Sequence, residues 1–83
     1  MERHSHRFVE TYRGPLAFGL SREGDEASLT VYLQKFSDDQ LMEVLRKRLT
    51  DHEMVKLVDF IMGLLREHLT AEEYHRLFLR NEE

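Results

Sequence analysis

Three short stretches in the second half of the chain share one arrangement of polar and apolar residues. In each, a serine or threonine is followed three positions later by glutamine or glutamate, and an apolar residue flanks this polar group on either side. The arrangement is typical of a helix start. The serine or threonine side chain accepts a hydrogen bond from the backbone N–H three residues later, and the glutamine or glutamate side chain at that later position accepts one from the backbone N–H of the serine or threonine. The predicted cap residues are Ser37, Thr50 and Thr70.

These starts predict helices over about 38–48, 51–68 and 71–80, joined by short connections. Apolar residues cover about half the circumference of the middle helix, which is wider than the stripe of about 100° that a surface helix needs. We therefore expect it to be the central helix. In the last helix, Leu79 lies off the face that Tyr74 and Phe78 share, which indicates a second contact surface.

The first 36 residues allow two interpretations. Leu29, Tyr32, Leu33 and Phe36 have helical spacing, whereas alternation within the same stretch also permits a β-hairpin pairing 16–20 with 28–34. We favour a helix over about 25–36 capped by Asp25, because an all-helical context leaves no further strand to support a lone hairpin. The expected fold is an all-α small bundle, with residues 1–24 as an irregular N-terminal arm and 25–83 as a single helical domain.

Composition narrows the class of protein. The chain has 83 residues and no cysteine, so we expect one domain, no disulfide framework and a reducing compartment, with the cytoplasm as the default location. No apolar run is long enough to span a membrane, and the first ten residues lack the features of a secretory signal. The net charge of −4, with acids and bases interspersed, supplies no overall attraction for nucleic acid or anionic lipid.

Catalytic and metal chemistry find little support. His4 and His6 are spaced to chelate a metal from an extended segment, but a closed zinc site normally needs four ligands and no other histidine has matching spacing. The sequence also lacks a phosphate-binding glycine loop, a nucleophile elbow and a dinucleotide fingerprint. We therefore predict that the protein is not an enzyme and has no catalytic residue, metal site or cofactor.

Nucleic-acid binding is the alternative hypothesis. Basic residues stand in the N-terminal region and at the end of the first predicted helix, where they could form one surface. The residues of this alternative are Arg3, Arg7, Arg13, Arg46, Lys47 and Arg48. The last helix does not resemble a recognition helix, because glutamates outnumber arginines in residues 71–83.

Protein binding is the function we favour from the sequence. The apolar residues exceed what one face of each helix needs, and a short monomer has little surface with which to cover them. We expect a homodimer, with another protein as a second candidate partner. The alternative is that these apolar residues all fill one intramolecular core, since domains of about 55 to 65 residues can fold alone. The predicted partner-binding residues are Leu57, Ile61, Leu64, Leu65, Tyr74, Phe78 and Leu79.

Overall fold

The computed structural model describes residues 4–80, and this part of the chain contains helices and no strand. The helices are α1 (Arg7–Thr11), α2 (Arg22–Phe36), α3 (Asp39–Leu45), α4 (Asp51–His68) and α5 (Ala71–Glu73), and a π-helical segment, Tyr74–Leu79, continues α5. The all-α class is confirmed. The alternative hairpin is wrong, because residues 28–34 lie inside α2, where backbone hydrogen bonds are made within the helix.

Helix α2 begins earlier than the sequence predicts. Its cap is Ser21, whose hydroxyl accepts a hydrogen bond from the Gly24 N–H at 3.0 Å. Asp25, the expected cap, lies inside the helix and accepts a hydrogen bond from the Gly19 N–H at 2.8 Å. Gly19 has a φ of 93°, a left-handed conformation that glycine adopts without the steric cost of a Cβ atom. The Asp25 carboxylate thus holds the loop before the helix.

The segment before α2 is not wholly irregular as predicted, because it contains α1 and packs on α2 through hydrogen bonds. The Val9 N–H donates to the Gln34 side chain at 2.9 Å. The Ser28 hydroxyl donates to the Ala17 carbonyl at 3.1 Å and accepts from the Ala17 N–H at 3.0 Å. Polar side chains of α2 therefore pair a first-turn N–H of α1 and both backbone groups of Ala17.

The prediction that Ser37 caps helix α3 is wrong. Asp38, not Ser37, is its N-cap and accepts a hydrogen bond from the Gln40 N–H at 3.1 Å. Ser37 instead ends α2, and its hydroxyl lies 2.9 Å from Nε2 of His6. The helix also stops at Leu45, short of the predicted residue 48, and the backbone continues as a tighter turn in which the Arg48 N–H bonds the Leu45 carbonyl at 2.9 Å.

The other two predicted caps are confirmed. Thr50 starts α4 and Thr70 starts α5, each with a complete capping box to Glu53 and Glu73 respectively. The predicted helix over 71–80 departs from α geometry after Glu73 and ends before Arg80, which has a left-handed φ of 62°. A π-helix has a wider turn than an α-helix, with hydrogen bonds between residues five apart. Leu79 therefore lies closer to the face that carries Tyr74 than it would in an α-helix.

The chain forms two compact units, Met1–Arg48 and Leu49–Glu83. In the described part of the first unit, Val31 is buried at 3% exposure, together with the polar residues Ser28 and Asp38. In the second unit, none of the described residues, 49–80, is buried. None of the helices within residues 4–80 combines the length and the hydropathy that a membrane span requires.

Candidate functional site

The apolar side of α4 is an exposed surface of the second unit. Val55 and Val58 are more than half exposed, and Met54, Ile61 and Leu64 are each more than a third exposed. These side chains belong to the wide apolar arc that the sequence predicts for this helix. The apolar arc is therefore present on α4, but the described residues of the second unit do not cover it, and its side chains are exposed to solvent.

Two concave regions lie at opposite ends of this helix. The first, the N-terminal patch, has a volume of about 290 Å³ and is formed by Met54, Val55, Val58 and Asp59. The second, the C-terminal groove, has a volume of about 390 Å³ and lies where α4 meets α5 and the π-helical segment. Its lining residues are Met62, Leu65, Arg66, Leu69, Thr70, Ala71, Tyr74 and His75.

The ends of α4 differ in charge. Its first turn carries Asp51 and Glu53, and its last turn carries Arg66 and His68. The N-terminal patch includes the acidic Asp59, whereas the C-terminal groove includes Arg66 and His75. The N-terminal patch thus combines apolar side chains with the acidic Asp59, and the C-terminal groove combines apolar side chains with the basic Arg66.

The capping box at Thr70 shapes the groove. The Thr70 hydroxyl accepts from the Glu73 N–H at 3.1 Å, and the Glu73 carboxylate accepts from the Thr70 N–H at 2.9 Å. This pair turns the chain directly after α4 and starts α5 beside it. Tyr74, which follows, stacks on Phe78 with ring centroids 5.2 Å apart. The rings extend the apolar surface from the groove along the π-helical segment.

All the predicted partner-binding residues lie in the second unit, and the structure places them on its surface. Leu65 and Tyr74 line the groove, and Leu57 is half-buried. Exposed members of the set are Ile61, Leu64, Phe78 and Leu79. Their role in binding stays a prediction. The sequence-based set omits Val55, Val58, Met62, Arg66 and His75, although the valines and Met62 belong to the same helical arc and were detectable from its period.

A second cluster lies in the first unit, around Asp38. Its carboxylate accepts hydrogen bonds from the Ser5 N–H at 2.7 Å and from the Ser5 hydroxyl at 3.3 Å, besides the capping bond from Gln40. The backbone hydrogen bond from Ser5 lowers the pKa of Asp38 below the ordinary value of 3.8, against the opposing effect of burial. The cluster holds the N-terminal segment on the α2–α3 junction, which is a structural role.

The histidines considered as metal ligands have other neighbours. His4 Nδ1 lies 2.5 Å from a Glu10 carboxylate oxygen, and His4 Nε2 lies 3.4 Å from the Lys35 ammonium group. His6 is paired with the Ser37 hydroxyl. Within residues 4–80, no three histidine, aspartate or glutamate side chains are grouped as a metal site would require.

The basic residues of the nucleic-acid hypothesis fall in the first unit, except that Arg3 lies outside the described residues. Arg13 donates to the Glu10 and Tyr12 carbonyls at 3.1 and 3.3 Å. Arg46, Lys47 and Arg48 follow α3 in the turn rather than inside the helix, and Arg7 opens α1. Nucleic-acid binding stays a prediction, which salt-sensitive retardation of a duplex or single strand would test.

No protein-family model, curated protein or solved structure matches the chain significantly.

Proposed function

We propose that the protein is a non-enzymatic protein–protein interaction domain that self-associates through the apolar face of α4. The observation that carries the proposal is that no residue within 49–80 is buried, although α4 alone presents an apolar arc along its whole length. Apolar surface left in water forgoes about 25 cal/mol of stabilisation per Å². A second copy that covers the arc recovers this free energy.

The length of the second unit supports self-association. Leu49–Glu83 is shorter than about 40 residues, below which a folded unit usually needs disulfides, a metal or oligomerisation. The chain contains no cysteine, and no metal-binding group is formed by residues 4–80. Oligomerisation would stabilise this unit by covering its exposed apolar side chains.

Self-association also forms a helical bundle from two copies, whereas the bundle predicted from the sequence lies within one chain. A pair of α4 helices, flanked by the π-helical segments of both copies, forms a four-helix arrangement around a shared apolar core. Tyr74, Phe78 and Leu79 then extend the core beyond the ends of α4. The methionines Met54 and Met62 suit such an interface, because their flexible side chains fill irregular gaps. The cytoplasmic location expected from the lack of cysteine stays a prediction.

Sedimentation equilibrium of the wild-type chain and two variants tests the proposal. We expect the wild type to show twice the chain mass of 10.0 kDa and a melting temperature that rises with protein concentration. Ile61→Asp, in the arc, should abolish dimerisation. Phe60→Asp is the matched control, because Phe60 is 68% exposed and lies outside the edge of the arc, about 130° from its centre.

Each result either supports or contradicts self-association through α4. A monomer with a concentration-independent melting temperature at high micromolar concentration would contradict self-association. A dimer that Phe60→Asp disrupts and Ile61→Asp leaves intact would place the contact elsewhere on the chain. If Ile61→Asp unfolds the second unit, the concentration dependence of the wild-type melting temperature still decides the question, since only an oligomer shows it.

A further inference from the structure

We infer that two copies pair their α4 helices antiparallel, so that the N-terminal patch of each copy meets the C-terminal groove of the other. The inference rests on the proposed self-association and adds its geometry. It assigns one occupant to the groove, namely the first two turns of α4 from a second copy, with Met54 entering the apolar space beside Leu69.

Charge complementarity favours this orientation. A parallel pair would bring the acidic first turns, with Asp51 and Glu53, of both copies together and would align the helix dipoles. An antiparallel pair instead sets Asp59 of each copy beside Arg66 of the other, and it opposes the helix dipoles. Specificity for a second copy follows, because the two ends of one helix carry the charges that the partner helix needs.

The acidic and basic groups of the two patches have no partner within their own helix. Asp59 and Arg66 are seven residues apart, which separates them by about 10.5 Å along the helix axis. Neither forms an ion pair with any residue in the described range 4–80. Asp59 and Arg66 lie on the same edge of the apolar arc. When a two-fold axis relates two antiparallel helices, this edge of one helix faces the same edge of the other.

The apolar residues set the register. Met54, Val58, Ile61 and Leu65 repeat at intervals of four, three and four, which is the spacing of a helix–helix seam. A two-fold axis between Ile61 and Met62 pairs Val58 of one copy with Leu65 of the other, and Met54 with Leu69. The same axis leaves Asp59 and Arg66 of opposite copies offset by two residues, or about 3 Å, which the arginine side chain spans.

Introduced cysteines test the register directly, because the chain has none of its own. Val58→Cys and Leu65→Cys are oxidised separately and as a mixture. Antiparallel pairing predicts a cross-link only between the two different variants. In that register, residue 58 of one copy lies about 10.5 Å along the helix axis from residue 58 of the other copy. This is beyond the roughly 7 Å between Cα atoms that a disulfide allows.

Exchanging the charges tests the inferred contact between Asp59 of one copy and Arg66 of the other. Asp59→Arg should weaken the dimer about tenfold at low salt, since it sets two arginines against each other at both symmetric contacts. Combining Asp59→Arg with Arg66→Asp should restore the wild-type dissociation constant. Glu67→Arg is the matched control, because it makes the same charge change on the polar side of α4 and should leave the dimer unaffected.

The results distinguish the two proposals. Self-cross-linking of each cysteine variant in a chain that sediments as a dimer would overturn the antiparallel register and leave the proposed function standing. A double charge variant that stays as weak as Asp59→Arg would do the same. A wild-type monomer would overturn both. Mixed cross-linking together with charge rescue supports both.

Discussion

The Ser5 backbone N–H donates a 2.7 Å hydrogen bond to the Asp38 carboxylate, although the two residues are 33 positions apart. The same carboxylate caps α3 through the Gln40 N–H. One side chain therefore joins the N-terminal segment to the start of a helix. The Ser5 hydroxyl completes the link, since it accepts from the Asp39 N–H at 2.9 Å.

Replacing Asp38 should destabilise the first unit more than replacing its neighbour. Asp38→Ala removes the acceptor for Ser5 and for Gln40 together, leaving backbone donors without their partner. Asp39→Ala is the matched control, since it removes the neighbouring carboxylate, which is exposed and lies in the first turn of α3. Thermal unfolding followed by circular dichroism should give a lower melting temperature for Asp38→Ala than for the control. Equal values would contradict the joint role of Asp38.

The lowered pKa of Asp38 predicts acid sensitivity. Because the folded-state pKa lies below the ordinary 3.8, ionised Asp38 stabilises the fold fully above that value. Its contribution is lost as the pH falls from 3.8 through the lower folded-state pKa. Stability measured against pH should therefore decline in this range in the wild type, and the difference between wild type and Asp38→Ala should shrink there. A difference that stays constant with pH would contradict the predicted linkage.

The three threonine and serine positions predicted as caps should respond differently to alanine. Thr50→Ala and Thr70→Ala each remove an observed capping hydrogen bond, and each should cost about 1 kcal/mol of unfolding free energy. Ser37→Ala should cost less, because Asp38 performs the capping. Urea unfolding of the three variants checks the order. A loss for Ser37→Ala as large as that for Thr50→Ala would contradict the observed cap.

Two valines provide a test of the small core. Val31 is 3% exposed and Val44 is 46% exposed. Val31→Ala should lower the unfolding free energy by about 2 kcal/mol, since it removes buried methyl groups and leaves a cavity. Val44→Ala makes the same chemical change at the surface and should cost less than about 0.5 kcal/mol. Similar losses at both sites in chemical denaturation would show that Val31 is not the centre of the core.

Features set by neighbours in sequence were predictable. The Thr50 and Thr70 capping boxes involve residues three apart, so the local pattern specifies both partners. The apolar arc of α4 was likewise readable from its helical period. The residues of the C-terminal groove were not grouped in advance, because Arg66 and His75 meet around one space only through the turn at Thr70.

The sequence by itself determined the helical class, the start of α4 and α5 and the amphipathic face of α4, because these depend on hydrogen bonds and periods within a few residues. Only the tertiary structure decided that Asp38 replaces Ser37 as the cap, since its other partner, Ser5, is distant in sequence. It also decided that the α4 face stays exposed. A helical period shows which side is apolar, whereas burial depends on what the rest of the chain brings against that side.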